Sequence, residues 1–334
     1  MMQKPVMIIA EAGVNHNGDI DIAKRMIVEA SRAGADAIKF QSFSANKIAS
    51  RYAEKAKYQK QTTGEDQSQL EMLKKLQLAK SDHIILKEHC ERNNILFLST
   101  PFDAGSLDML IALGMPVIKV SSGEITNLPM LIQIASCRKP VILSTGMSTL
   151  DEVRDAVELL INNGTTDLTV LQCNTEYPSP FEDVNLKAMH TMARELSVPV
   201  GYSDHTKGIE AAIAAVAFGA CVIEKHFTLD NTMQGPDHRA SIEPQQLCEM
   251  VRCIRNIEKA LGDGVKRPTN SEMGNKLIAR KSIIAAKAIK KGDMLTEENL
   301  TTKRPGTGIS PMQWDSVVGT VAARDFYEDE LIEL

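Results

Sequence analysis

The chain has 334 residues, 43% of them hydrophobic and 24% charged, enough apolar material for one large α/β barrel with an appendage or for two medium domains. Its formal net charge of −5 leaves no basic excess to draw it to nucleic acid, and no stretch approaches the roughly 20 apolar residues of a membrane span. Residues 1–9 lack the apolar run and cleavage site of a signal peptide, and the six cysteines are scattered without a CxxC pair, so a cytoplasmic protein with reduced thiols is expected.

From residue 6 onward a two-part unit recurs: a short β-branched run with a polar end, then an amphipathic helical stretch. The runs fall at 6–10, 37–40, 95–98, 117–120, 141–143, 168–171, 198–202 and 221–223. Eight such units in about 260 residues are the count and length of a (β/α)8 TIM barrel. A doubly wound sheet is the rival. Against it, Ala12-Gly-Val-Asn-His-Asn-Gly18 does not fit the Gly-rich turn that binds a dinucleotide pyrophosphate. The connection 42–80 is long and polar, holds Tyr52 and Tyr58, and reads as a lid-like or otherwise functional loop. Helices are expected over 81–92, over 209–219 from its alanine spacing and glycine stop, and over 244–261 before Gly262. The composition then shifts to short runs at 282–286, 289–295, 300–306 and 317–321. The chain therefore divides into a barrel over 1–266, a charged helical linker over 267–280 and a small β-rich module over 281–334.

In such a barrel the chemistry sits at the C-terminal ends of the strands. Those ends carry Glu11; Lys39 and Gln41; Ser99 and Thr100; Lys119, Ser121, Ser122 and Glu124; and Ser144 and Thr145. Asn174, Thr175 and Tyr177, then Ser203, Asp204 and His205, and finally Glu224 and His226 complete the rim. A lone serine at a strand end usually caps the next helix. Two lysines among so many hydroxyls instead make a phosphate and carboxylate pocket, because lysine at the end of an apolar strand needs an anion. His205 and His226 leave the same ends of neighbouring parallel strands, with Glu224 on the strand face of His226. Two imidazoles with several open positions suit Mn²⁺ or Mg²⁺ completed by substrate oxygen and water, whereas a closed zinc site wants four protein ligands. His16 and His238 read as polar loop contacts, and His83, His89 and His190 as surface residues of helices. Pro305-Gly-Thr-Gly308 is no phosphate loop, since no Gly-Lys-Ser/Thr follows it.

Several motifs together go further. Ile9-Ala-Glu-Ala-Gly-Val-Asn-His-Asn-Gly18, Ala37-Ile-Lys-Phe-Gln41, Ser99-Thr-Pro-Phe102, Lys119-Val-Ser-Ser-Gly-Glu124, Leu143-Ser-Thr-Gly-Met147, Tyr202-Ser-Asp-His-Thr206, Ile223-Glu-Lys-His-Phe-Thr228, Gly235-Pro-Asp237 and Lys303-Arg-Pro-Gly-Thr-Gly-Ile309 resemble the bacterial sialic acid synthases, the N-acetylneuraminate synthase family. The resemblance spans the chain and includes a C-terminal module similar to the antifreeze-like (SAF) domain. It implies metal-dependent condensation of phosphoenolpyruvate with an open-chain N-acetylated mannosamine and water, releasing phosphate by C–O cleavage. His205 and His226 would hold the metal, and Lys39, Thr100, Lys119, Ser122 and Ser144 the phosphoenolpyruvate, with Asn174 or Thr175 as a further contact. Glu11, Tyr177 and Asp237 would hold the sugar hydroxyls with Gln41 nearby, and Glu224 would orient or deprotonate the attacking water. Arg304 would reach a neighbouring subunit's site and contact the N-acetyl group, making the active unit a domain-swapped homodimer. N-acetylmannosamine is the expected sugar. The alternative is 2,4-diacetamido-2,4,6-trideoxymannose, the precursor of legionaminic acid, whose synthases share nearly the same motifs.

Rival chemistries fit less well. A metal-dependent amidohydrolase needs a His-x-His pair ending strand one, where this chain has Glu-Ala-Gly. A synthase acting on a phosphorylated aldose needs further cations for the second phosphate. A carbohydrate-binding scaffold leaves the intact rim unexplained.

Overall fold

The computed structural model describes residues 4–63 and 68–334, which separate into two compact units, Met1–Gly262 and Asp263–Leu334. The first unit is built on eight parallel strands: β1 (Met7–Gly13), β2 (Ala37–Ser42), β3 (Leu96–Pro101), β4 (Ile118–Val120), β5 (Val141–Ser144), β6 (Leu168–Cys173), β7 (Val200–Asp204) and β8 (Val222–His226). They lie in the order β3-β2-β1-β8-β7-β6-β5-β4, and the two ends of the sheet, β3 and β4, pack together to close the barrel. All eight expected runs form strands, mostly one to three residues longer at the C-terminal end, so the polar strand ends belong to the sheet itself.

The strands are buried on both faces, as a parallel sheet wrapped by helices requires, and this is why they read as continuous apolar runs. The helices bury a single stripe. Ala23, Met26, Ile27 and Ala30 of Ile20–Arg32 repeat the spacing of Val153, Ala156, Val157 and Leu160 of Leu150–Asn162. Their starts are chemically marked: Asp19 accepts from the amides of Asp21 and Ile22, and Thr149 closes a capping box with Glu152. Gly201 is where β7 presses on its neighbours. A Cβ there would lie 2.5 Å from the Val222 carbonyl oxygen and 2.6 Å from Leu171 Cδ2.

The segment after β2 is more ordered than its polar sequence suggests. It forms three short helices, Ala45–Ile48, Lys57–Thr63 and Gln69–Leu76, and Met72 and Leu76 join Val14 and Phe43 in a small core of their own. Tyr52 is exposed, and the side chain of Tyr58 lies outside the described residues. The expected helices appear at Lys80–Arg92, Glu210–Ala217 and Pro244–Leu261.

The second unit departs further from expectation. Only β9 (Ser282–Ala285) and β10 (Leu300–Lys303) pair as strands, antiparallel. The runs 289–295 and 317–321 contribute isolated bridges, Ile289 with Phe326 and Met294 with Val321, and a short helix, Trp314–Val317. The unit still has its own core, in which Ile283, Ile289, Leu295, Leu300, Phe326 and Ile332 are buried. The helix Met273–Ala279 is bonded to this unit, Leu277 accepting from the Gly306 amide at 2.7 Å.

Candidate active site at the C-terminal ends of the barrel strands

Parallel strands in register bring the rim residues together: Glu11 lies opposite Lys39 on one side and His226 on the other, and Ser203 opposite Glu224. Four of these side chains, all buried, form a charge cluster at the mouth of the barrel. Lys39 Nζ sits 2.6 Å from Glu11 Oε2 and 3.6 Å from Glu224 Oε2, while Lys119 Nζ lies 3.7 Å from Glu224 Oε1. The lysines are thus met by carboxylates of the rim itself.

Hydroxyls complete the cluster. Lys39 donates to Thr100 at 3.0 Å, Lys119 to Ser144 at 2.6 Å, and Ser203 to Glu224 at 3.0 Å. Ser122 accepts from the Gly146 amide at 2.9 Å and lies 3.2 Å from the Cys173 thiol. A side chain at Gly146 would collide with Thr175 at 2.6 Å, so this glycine lets the β5 loop close on Ser122 and Thr175. Gln41 reaches toward Glu11 at 3.4 Å. Three other rim hydroxyls serve the fold, Ser121 as the expected helix cap and the other two as bonds between strands. Ser121 accepts from the Gly123 amide, Thr145 donates to the Leu171 carbonyl, and Ser99 bonds Ser42.

Charge and burial set the protonation of the cluster. Burial pushes Glu11 up to about 7 against the pull of Lys39. Burial also opposes charge on Lys39, but Glu11 and Glu224 outweigh it and hold the ammonium above its usual range. For Lys119 burial wins and the ammonium is weakened. Burial of Glu224 is overcome by Lys119 and Lys39, which hold it below the usual carboxylate range.

The two histidines stand beside this cluster, ring centroids 5.2 Å apart. His205 bonds through Nδ1 to the Asn174 carbonyl, so its Nε2 keeps the lone pair. Nδ1 of His226 is buried without a hydrogen-bond partner, 3.9 Å from Asp237 Oδ2. Burial lowers His205 to about 4 and His226 well below its ordinary value, so both rings are neutral donors at physiological pH. Burial alone raises Asp237 to about 7. The Tyr177 ring packs on His205 at 4.3 Å and against His226 at 5.4 Å. Asn174 and Thr175 are half-buried, and the Asn174 amide is committed to the Asp183 carbonyl at 2.7 Å. Arg304 is exposed in the second unit, donating to the Ala279 carbonyl at 3.1 Å.

The remaining histidines correct one expectation. His83 is not a surface residue: it is buried and bonds Ser42 at 2.7 Å, because its helix turns that face toward the barrel. His190 is exposed and His89 half-buried. His16, in a turn, and His238, at the start of the short 3-10 helix His238–Ala240, are fully buried, with His238 bonding Thr228 at 2.7 Å. Lys225 was missed as a member of the site region. It lies between Glu224 and His226, fully buried, 2.9 Å from Asp204. The rule that singled out Lys39 and Lys119, a lysine in a buried strand needing an anion, applies equally to it.

With this geometry in view, the chain can be compared with known proteins. The sequence model of the NeuB family matches residues 26–266, and that of the SAF domain matches 280–333. The chain belongs to the NeuB family, with a SAF domain following the barrel. It is 53% identical to the N,N'-diacetyllegionaminic acid synthase of Campylobacter jejuni, over 98% of this chain and 99% of that one. To the enzyme of the same name from Legionella pneumophila it is 47% identical, over 94% of this chain and 89% of that one. The crystal structure of an N-acetylneuraminic acid synthetase from Leptospira borgpetersenii superposes with a TM-score of 0.72 at 39% identity, covering 81% of this chain and 90% of that one.

Proposed function

We propose that this chain condenses phosphoenolpyruvate with 2,4-diacetamido-2,4,6-trideoxymannose and water, giving N,N'-diacetyllegionaminic acid and phosphate. The observation that carries the choice of sugar is the 53% identity, along nearly the whole of both chains, to a protein named for that product. N-acetylmannosamine, expected from the motifs, becomes the second reading. It is favoured by the 39% identity to a structure named as an N-acetylneuraminic acid synthetase.

The reaction class rests on the family and on the rim. Phosphoenolpyruvate carries a phosphate and a carboxylate, and Lys39, Lys119, Thr100, Ser122 and Ser144 offer cations and hydroxyls within one buried mouth. Attack by C3 of phosphoenolpyruvate on the sugar aldehyde breaks the C2–C3 and carbonyl π bonds, so the former aldehyde oxygen takes up a proton to become a hydroxyl and positive charge is left at C2. The carboxylate of Glu224 would stabilise it. Glu224, held ionised by two lysines, takes the proton of the water that adds to C2. Loss of phosphate by C–O cleavage, with the new C2 hydroxyl giving its proton to the departing phosphate, then yields the keto acid. Glu11, Gln41, Tyr177 and Asp237 hold the sugar.

A divalent cation fits the two histidines. Burial keeps both imidazoles neutral, the Asn174 carbonyl fixes the tautomer of His205, and Nδ1 of His226 has no hydrogen bond that an ion would have to displace. His205 and His226 would hold Mn²⁺ or Mg²⁺, which supplies Lewis-acid polarisation of the aldehyde. Arg304, by the family resemblance, serves the sugar site of a second copy in a domain-swapped homodimer.

The test is phosphate release from phosphoenolpyruvate with Mn²⁺ and each sugar. A kcat/KM at least tenfold higher for the trideoxy sugar is expected. The reverse preference makes the protein a sialic acid synthase, and no release with either sugar removes the reaction.

A further inference from the structure

The backbone ladder between β7 and β8 ends at Asp204 and Lys225, one residue short of His205. Sheet pairing to β8 therefore does not by itself position that histidine. On its other side the Ser179 amide donates to the His205 carbonyl at 2.8 Å, and the link to β8 is made by side chains on the outer face of the pleat, because Glu224 and His226 face the site and Lys225 between them faces away.

Asp204 Oδ1 accepts from the Thr206 amide at 2.9 Å, the Thr206 hydroxyl at 2.8 Å and the Tyr202 hydroxyl at 3.2 Å. Lys225 Nζ lies 2.9 Å from Asp204 Oδ2 and donates to the Thr206 carbonyl at 2.6 Å. The residues on both sides of His205 are thus tied to the residue between Glu224 and His226. Both charged groups are completely buried. A buried ion pair seldom adds stability beyond what apolar side chains of similar volume would supply. What it adds is directional: five short contacts that hold one backbone turn in one place.

We propose that the buried Asp204–Lys225 pair is a positioning device that sets the separation and orientation of the two imidazoles for a divalent cation. The inference rests on the metal reading given above. Neither residue touches the reacting atoms.

The experiment measures Mn²⁺ affinity by electron paramagnetic resonance on the metal-stripped protein, alongside thermal melting. In Asp204→Asn/Lys225→Met both charges go while volume is kept, so the fold should melt within a few degrees of wild type. Its Mn²⁺ Kd should rise about 10-fold, the low end of the cost of losing a group bonded directly to a metal ligand, since the pair acts through the backbone beside His205, with a broadened spectrum. A folded double variant with wild-type affinity overturns the proposal and makes the pair a purely structural contact. If that variant does not fold, Thr206→Val, which removes one bond to Asp204 and keeps the shape, decides instead. A several-fold rise in Kd supports the clamp and an unchanged Kd overturns it. Absence of Mn²⁺ binding by wild type removes the metal reading and the inference together, an outcome distinct from the other two.

Discussion

Oppositely charged side chains meet in both units, yet under opposite conditions. In the barrel mouth Lys39, Lys119, Glu11 and Glu224 interact where their side chains are 3–5% exposed. In the second unit Lys290 and Asp325 meet at 2.9 Å with side chains 77% and 54% exposed. Coulomb's law is the same, but water screens the second pair and leaves the first to be balanced by neighbours alone. Under the proposed function, phosphoenolpyruvate entering the mouth would compete for the lysines with the carboxylates already beside them.

That contrast can be broken at several points. The largest effect is expected from His226→Ala, which removes an imidazole with no other hydrogen-bonding duty at Nδ1. Turnover should fall by about 10³-fold or more, the worth of several kcal/mol of transition-state stabilisation, with an unchanged circular dichroism spectrum. Chelation should do the same to wild type, and added Mn²⁺ should restore it. Next comes Lys39→Met. Removing one partner of a buried pair costs about 3–5 kcal/mol, so the urea midpoint should drop and the KM for phosphoenolpyruvate should rise. An unchanged midpoint would mean that Glu11 is neutral without its lysine.

A smaller, pH-dependent effect is expected at Asp103. Its burial is outweighed by hydrogen bonds from Ser106 and Ser44 and by Lys47, which hold the carboxyl below the usual range. A depressed folded pKa contributes stability above the unfolded value of about 3.9 and loses it as pH falls through the folded value. Asp103→Asn should therefore flatten the acid limb of the melting profile and change little at acid extremes. The smallest effect belongs to the exposed pair: Lys290→Ala should leave the melting temperature unchanged, as many surface pairs contribute nothing measurable.

Much of the barrel was legible in the sequence because parallel strands buried on both faces leave unbroken apolar runs, and all eight were read in place. The rim was legible for the same reason, since polar residues ending such runs stand out. Pairing was not. Lysines at 39 and 119 announce a need for anions, but sequence does not say whether ligand or protein supplies them, and here Glu11 and Glu224 do. Lys225 carries the same signal as Lys39, but it alternates with Glu224 and His226 and so lies on the face of β8 turned away from the rim. The segment after β2 reads as a loop because few of its described side chains are buried, Met72 and Leu76 sharing a small core with Val14 and Phe43. In the second unit, bridges of single residue pairs carry no periodicity to read.

The account stands most directly on where phosphoenolpyruvate breaks. With ¹⁸O in the bridging position, trideoxy sugar and Mn²⁺, the label should leave entirely with phosphate as the nonulosonic acid forms. Label retained in the product would mean P–O cleavage and would contradict water attack at C2. Phosphate released without a nine-carbon acid would contradict condensation altogether.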